Sequence, residues 1–253
     1  MALSDQKLVI LQKNYGTSPH QPLNKRIKHK TTMAISSDNI HDIIPEPALR
    51  RLPWYLAYVS MLKDQNVEYV SSTQISRELS VDASQIAKDL SFLNIKGKTR
   101  IGYDVITLEK ELQDFLGFHR SHNALIVGVG SLGGALIQDS GLSNYGLNIV
   151  AGFDTNPDII GRTLCGIPVF DVHELALRRK QFSAEIGIIT VPVEHAQQVA
   201  DSLIEAGVKA LWNYTPYRIK VTDDIVVQNT SIYAHLAVMY NRLNINKSRN
   251  TSL

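Results

Sequence analysis

Apolar residues recur at helical spacing between Leu49 and Leu62: Leu49, Leu52, Leu56, Val59 and Leu62 follow one another at intervals of 3, 4, 3 and 3. That spacing predicts one buried face of a helix. Pro47 suits a first turn, while Pro53 implies a kink or a later start. Two shorter periodic stretches come next. Ile75 and Leu79 lie four apart behind Ser72, a candidate N-cap, and Ile86 and Leu90 do the same in a helix starting near Ala83. Ser80-Val81-Asp82 breaks the pattern between them. Two short helices around a tight turn holding one apolar residue predict a helix-turn-helix. The segment Asn94–Tyr103 places Gly97 at a turn among Lys96, Lys98 and Arg100, and predicts a β-hairpin wing. A linking helix carries Leu108, Leu112, Phe115 and Leu116 and stops at Gly117.

Beyond residue 120 the period changes. Strand-like runs occur at Ala124–Val127, Ile149–Phe153, Ile167–Phe170, Glu185–Val191, Val208–Trp212 and Ile225–Val227, with helical patterns such as Glu194–Ala206 between most of them. This alternation predicts an α/β fold built on a parallel sheet with helices on both faces. The first run leads into Gly128-Val129-Gly130-Ser131-Leu132-Gly133, a G-x-G-x-x-G turn opening a helix. The second run ends at Asp154, 21 residues after Gly133, where a ribose-binding acid belongs. The glycines permit a tight turn, close approach to a pyrophosphate and close helix–strand packing, and the helix N-terminus favours the phosphates. Ligands of such sheets bind beyond the carboxyl ends of the strands. Thr190-Val191-Pro192 and Asn213 therefore complete the candidate dinucleotide site, although Pro192 and Pro216 serve equally as strand terminators.

At the C-terminal end Ile232, Leu236, Met239 and Leu243 form a narrow seam that fits either core packing or a partner subunit. Residues 1–42 are polar, contain the basic cluster Lys25-Arg26-Ile27-Lys28-His29-Lys30, and are expected to be disordered. The expected division is this extension, a helical domain over 43–120, a nucleotide-binding domain over 121–230 and a terminal helix and tail over 231–253.

Composition adds limits. The 253 residues are 44% hydrophobic and 20% charged, with a net charge of +2, as in a globular protein. No long apolar run predicts a membrane span, and Met1-Ala2-Leu3-Ser4-Asp5 lacks a secretory pattern. A single cysteine, Cys165, excludes an intramolecular disulfide and fits a reducing cytoplasm. Eight scattered histidines and one cysteine give no metal site. The second helix of the helical pair offers Ser84, Gln85, Lys88 and Ser91 outward, types that touch phosphates and base edges. With Lys96, Lys98 and Arg100 of the wing they form a candidate surface for double-stranded DNA. These residues alone fit an ordinary accessory helical domain equally well.

Taken together, the motifs resemble the Rex family of bacterial redox-sensing transcriptional repressors. The matching pieces include Ile44-Pro45-Glu46-Pro47, Leu49-Arg50-Arg51-Leu52-Pro53, Lys88-Asp89-Leu90-Ser91, Gly102-Tyr103-Asp104-Val105, Val127-Gly128-Val129-Gly130-Ser131-Leu132-Gly133, Gly166-Ile167-Pro168-Val169, Thr190-Val191-Pro192 and Trp212-Asn213. The resemblance runs in order over about residues 43 to 243. It implies a winged helix-turn-helix domain, then a Rossmann-like domain, and a homodimer that exchanges its C-terminal helix. It also implies a repressor that senses the NADH/NAD+ ratio and leaves a palindromic operator when NADH binds. This chain departs from the family at Ala87, where an arginine is usual, and in the wing Gly97-Lys98-Thr99-Arg100. It departs again at Ala57, Asp139 and Ser231, where a subunit-coupling Arg–Tyr–Asp set is usual, and at Ile232, where an aromatic is usual. Asp154 is followed by Thr155 and Asn156 with no adjacent arginine, so NAD(H) is expected over NADP(H).

The rival expectations are an NAD-dependent oxidoreductase with an accessory helical domain, a CoA-binding or other nucleotide-binding module, and a structural interaction protein. Only about 25 residues follow the strand near Val227, too few for a substrate domain. His195 is expected at the surface rather than as a hydride-transfer acid, so no enzyme is expected.

Overall fold

The computed structural model describes residues 44–250; the expected N-terminal extension, with its basic cluster, lies outside them. A helical unit comes first: α1 (Glu46–Leu49), α2 (Leu52–Asp64), β1 (Tyr69–Val70), α3 (Ser72–Leu79), α4 (Ala83–Leu90), β2 (Tyr103–Asp104) and α5 (Val105–Leu116). Pro53 produces the later start, not a kink: it sits in the first turn of α2, where its missing N–H costs nothing. Leu49 consequently falls in the separate α1 and is 39% exposed, so it does not extend the buried stripe. Leu52, Tyr55, Leu56 and Val59 of α2 pack with Leu108 and Leu112 of α5 and with Ile75, Ile86 and Leu90 of the helical pair in one core. Each such apolar side chain contributes roughly 1.5–3 kcal/mol by leaving water. Phe115 of α5 stays outside, 40% exposed.

Next come β3 (His122–Val127), α6 (Ser131–Gln138), α7 (Gly141–Asn144), β4 (Leu147–Asp154), β5 (Thr163–Leu164), β6 (Ile167–Asp171), α8 (Leu175–Phe182), β7 (Ile186–Ile189), α9 (Ala196–Glu205), β8 (Ala210–Asn213), β9 (Val226–Asn229) and α10 (Ile232–Asn250). The sheet order is β5-β6-β4-β3-β7-β8-β9. Strands β6 to β9 in that order are parallel, and β5 joins the edge antiparallel through a hairpin with β6. The hairpin is an addition to the purely parallel sheet expected. The chain lays down β3, moves one way to β4 and β6, then returns to the other side of β3 with β7. That reversal is the topological switch point at which such sheets bind ligands. Register aligns its rim: Val127 lies opposite Phe153 and Ile189, and Ile189 opposite Asn213. Among the described residues, no helix is long and apolar enough to cross a membrane.

Candidate functional site

Gly128 turns the chain out of β3 with φ +94°, and a Cβ there would lie 2.7 Å from the Thr190 carbonyl oxygen. Thr190 binds the turn from the other side: its Oγ1 donates to the Gly128 carbonyl at 2.7 Å, and its N–H to Val127 O at 3.0 Å. Gly133 lies in the first turn of α6, where a Cβ would stand 2.0 Å from Gly128 O and 2.9 Å from Thr190 Oγ1. The N-cap of α6 is Gly130, which has no side chain to cap the helix. The leading N–H groups of Ser131, Leu132 and Gly133 therefore have no partner inside the helix, and the helix dipole adds to their pull on an anion.

Asp154 ends β4 beside this turn. Its Oδ2 accepts from Val129 N–H at 2.7 Å, and its Oδ1 from the N–H groups of Thr155 and Asn156 at 2.8 and 3.0 Å. A carboxylate has about four acceptor positions, so capacity for a ribose hydroxyl remains. A cavity of about 570 Å3 opens here. Gly128, Asp154, Val191 and Pro192 line it, with Val172, His173, Leu175, His195 and Gln198. The last five were not anticipated from the sequence. Val172 and His173 directly follow β6, so the strand-end rule applied to Ile167–Phe170 would have found them. His195 is exposed, as expected.

Asn213 has a different role from the one expected. It is fully buried, its Nδ2 donates to Tyr217 O and Asn229 Oδ1, and its Oδ1 accepts from the N–H and hydroxyl of Thr215. Two donors and two acceptor positions are all used. The side chain shapes the loop after β8 and has nothing left for a ligand. Among the described residues no cluster of His, Cys, Asp and Glu could hold a metal.

In the helical unit the N-cap of α3 is Ser71, not Ser72. Ser71 and Gln74 form a reciprocal capping box, each side chain meeting the other's backbone N–H. Ser80 takes the left-handed conformation at the break, and Asp82 caps α4 through the N–H groups of Ser84 and Gln85. Ser84 and Lys88 stand exposed on α4 and Ser91 just beyond it. Lys88 makes no side-chain bond among the described residues, whereas the Ser91 hydroxyl donates to Lys88 O at 2.6 Å. The wing turns at residues 99–101, not at Gly97. Lys98 and Gly102 exchange backbone bonds of 2.7 and 2.9 Å, and Arg100 between them has φ +65°. Lys96 and Arg100 are exposed, while Lys98 Nζ is drawn back to Tyr69, 2.7 Å from its hydroxyl and 4.6 Å from its ring centre.

One polar hub had no sequence signal. Asp89 on α4 is fully buried and takes both arms of Arg51 at 2.7 and 2.8 Å and the Tyr55 hydroxyl at 2.7 Å. Burial opposes ionisation, but these bonds prevail and hold the carboxyl below the ordinary aspartate range. A second pairing, Glu109 with Ser60 and Lys63, ties α5 to α2. Finally, α10 is largely uncovered among the described residues: Ile232, Met239 and Leu243 are each about half exposed. Three of the four seam residues are thus outside the buried core, while Leu236 is partly buried.

These features define a class: a winged helix-turn-helix unit joined to a doubly wound nucleotide-binding fold. The family described as "Putative DNA-binding protein N-terminus" matches residues 43–91, and the one described as "CoA binding domain" matches residues 119–217. The chain is 55% identical over 225 residues to the redox-sensing transcriptional repressor Rex of Bacteroides fragilis, covering 89% of this chain and 98% of that protein. It is 53% identical to that of Porphyromonas gingivalis, covering 84% and 97%. Among solved structures, RSP in complex with NAD+ and operator DNA matches with a TM-score of 0.77 and 33% identity, over 83% of this chain and 96% of that one. RSP in complex with NADH gives 0.75 at the same identity, over 83% and 99%. The chain belongs to the Rex family of redox-sensing transcriptional repressors.

Proposed function

We propose that this protein is a homodimeric repressor that binds a palindromic operator and releases it when NADH occupies the switch-point cavity. The observation that carries this reading is the presence, in one chain, of the Gly128–Gly133 turn with Asp154 and a recognition helix whose exposed Lys88 makes no side-chain bond among the described residues. Labour divides near residue 120: residues 43–120 for DNA, 121–230 for the nucleotide and 231–253 for the partner, with the work done in the cytoplasm. The Gly128–Gly133 turn holds the pyrophosphate, Asp154 the adenosine ribose, and Val191 and Pro192 the cavity wall. Thr190 supports the turn from beneath. Ser84, Gln85 and Lys88 enter the major groove, with Ser91, Lys96 and Arg100 along the backbone. Lys98 stiffens the wing through Tyr69.

Reduced nicotinamide is neutral and oxidised nicotinamide is cationic. An apolar site favours the neutral ring, because an unpaired buried charge is costly. That difference in affinity is all a ligand can use to shift a conformational equilibrium. No turnover is part of the proposal.

Fluorescence anisotropy of a palindromic operator at fixed salt, with NAD+ and then NADH, tests the whole. Specific binding released by NADH is expected; binding indifferent to NADH contradicts the sensor role. Lys88→Ala should weaken operator binding about tenfold, and weaken it evenly across sequences if the contact is to phosphate. NADH affinity should not change.

Helix exchange accounts for the bare α10. An apolar groove of about 610 Å3 lies at the amino ends of the strands, lined by Pro53, Phe118, Tyr145, Leu211 and Trp212 among others. A partner's α10 supplies the apolar side chains such a groove can cover. Truncation before Ile232 is expected to convert a dimer to a monomer by light scattering. A truncated chain that remains dimeric would disprove the exchange.

A further inference from the structure

The Asp89 hub has a fourth donor, and it belongs to the recognition helix itself. Gln85 Nε2 donates to Asp89 Oδ1 at 2.7 Å from one helical turn earlier, and Gln85 is only partly buried. An ionised carboxylate offers acceptors only. The Gln85 amide must therefore turn its nitrogen toward Asp89, since the flipped amide would set oxygen against oxygen. Its second N–H and its Oε1 have no partner among the described residues.

We propose that Asp89 is a positioning residue that fixes the Gln85 amide, and that the fixed amide reads one adenine in each operator half-site. The free N–H donates to adenine N7 while Oε1 accepts from the N6 amino group, the pairing that a carboxamide makes in the major groove. An amide free to flip presents donor and acceptor in either order and loses that freedom on binding. Neighbouring side chains offer no such matched pair. Lys88 has donors alone, the Ser84 hydroxyl is drawn to Asp82, and that of Ser91 is held by the Lys88 carbonyl. The proposal rests on the operator-binding reading above.

Selection of duplexes from a randomised pool by the full chain at fixed salt, followed by sequencing, tests it. The unaltered chain is expected to enrich a palindrome with one strongly preferred A·T pair per half-site. Gln85→Met, which keeps length but removes the amide, should reduce that preference roughly tenfold and leave other positions intact. Asp89→Asn should flatten the same position, because a carboxamide can donate as well as accept and lets Gln85 turn over. Tyr55→Phe removes a different bond to the same carboxylate, and should lower stability without altering the preference. Full preference at every position in Gln85→Met overturns the proposal; so does Tyr55→Phe flattening that pair as Asp89→Asn does. Gln85 lies near the surface, so the Gln85→Met arm is decisive even if Asp89→Asn does not fold. Failure of the unaltered chain to enrich any sequence overturns the DNA-binding reading itself, and this one with it.

Discussion

Gly133→Ala is expected to lower NADH affinity by at least about 100-fold, roughly 3 kcal/mol. The added methyl would lie 2.0 Å from the Gly128 carbonyl oxygen, and that oxygen belongs to backbone which Thr190 holds in place. It cannot step aside as the end of a flexible side chain could. The N-terminus of α6 must instead move off β3, and it carries the N–H groups of Ser131 and Leu132 with it. Such overpacking costs about 1–3 kcal/mol of stability as well. Gly130→Ala provides the contrast, since a Cβ there meets nothing within 4 Å. It should melt like the unaltered protein and still bind NADH poorly, because Gly130 is where a pyrophosphate approaches the backbone. Titration by NADH fluorescence alongside thermal denaturation separates the two, and unchanged affinity in Gly133→Ala would contradict the site.

Asp89→Ala should destabilise the helical unit by about 3–5 kcal/mol, the usual cost of removing one partner from a buried pair. It leaves the Arg51 guanidinium and the Tyr55 hydroxyl without their shared acceptor. The acid dependence has a definite sign. The Asp89 carboxyl titrates below its ordinary value in the fold, so its stabilisation is complete above the unfolded value of about 3.9 and disappears as pH falls through the lower, folded one. Glu109 acts in the same direction: burial raises its pKa, but the bonds from Lys63 and Ser60 lower it further. Urea denaturation at neutral pH and below pH 4 is the measurement. Asp89→Ala should be weaker at neutral pH and lose less on acidification. Parallel acid losses in both proteins would mean that Asp89 does not carry that dependence.

The sequence made the architecture readable because period and punctuation agreed. The run Ala124–Val127 before Gly128 and the run ending at Asp154 became adjacent strands whose ends meet at one rim. The break at Ser80-Val81-Asp82 became the turn between α3 and α4. What escaped was tertiary. Ser71 and Ser72 are equally good caps by type, and only the Gln74 side chain decides between them. The two-residue β5 is too short to show a period. Asn213 stands at a strand end like a ligand, but its loop consumes every hydrogen bond it can make. Asp89 reads as a polar residue on a helix face, and its partners Arg51 and Tyr55 are more than thirty positions away.

The bareness of α10 bears on how much of this protein a cell must hold. Seven large apolar side chains, from Ile232 to Ile245, stand about half exposed or more on one helix. Where only a second copy can shield them, folding and assembly become one equilibrium, and mass action enters the stability itself. The melting temperature then rises with protein concentration. Dilution weakens the fold as well as the occupancy of the operator, so a poorly expressed repressor is removed twice over.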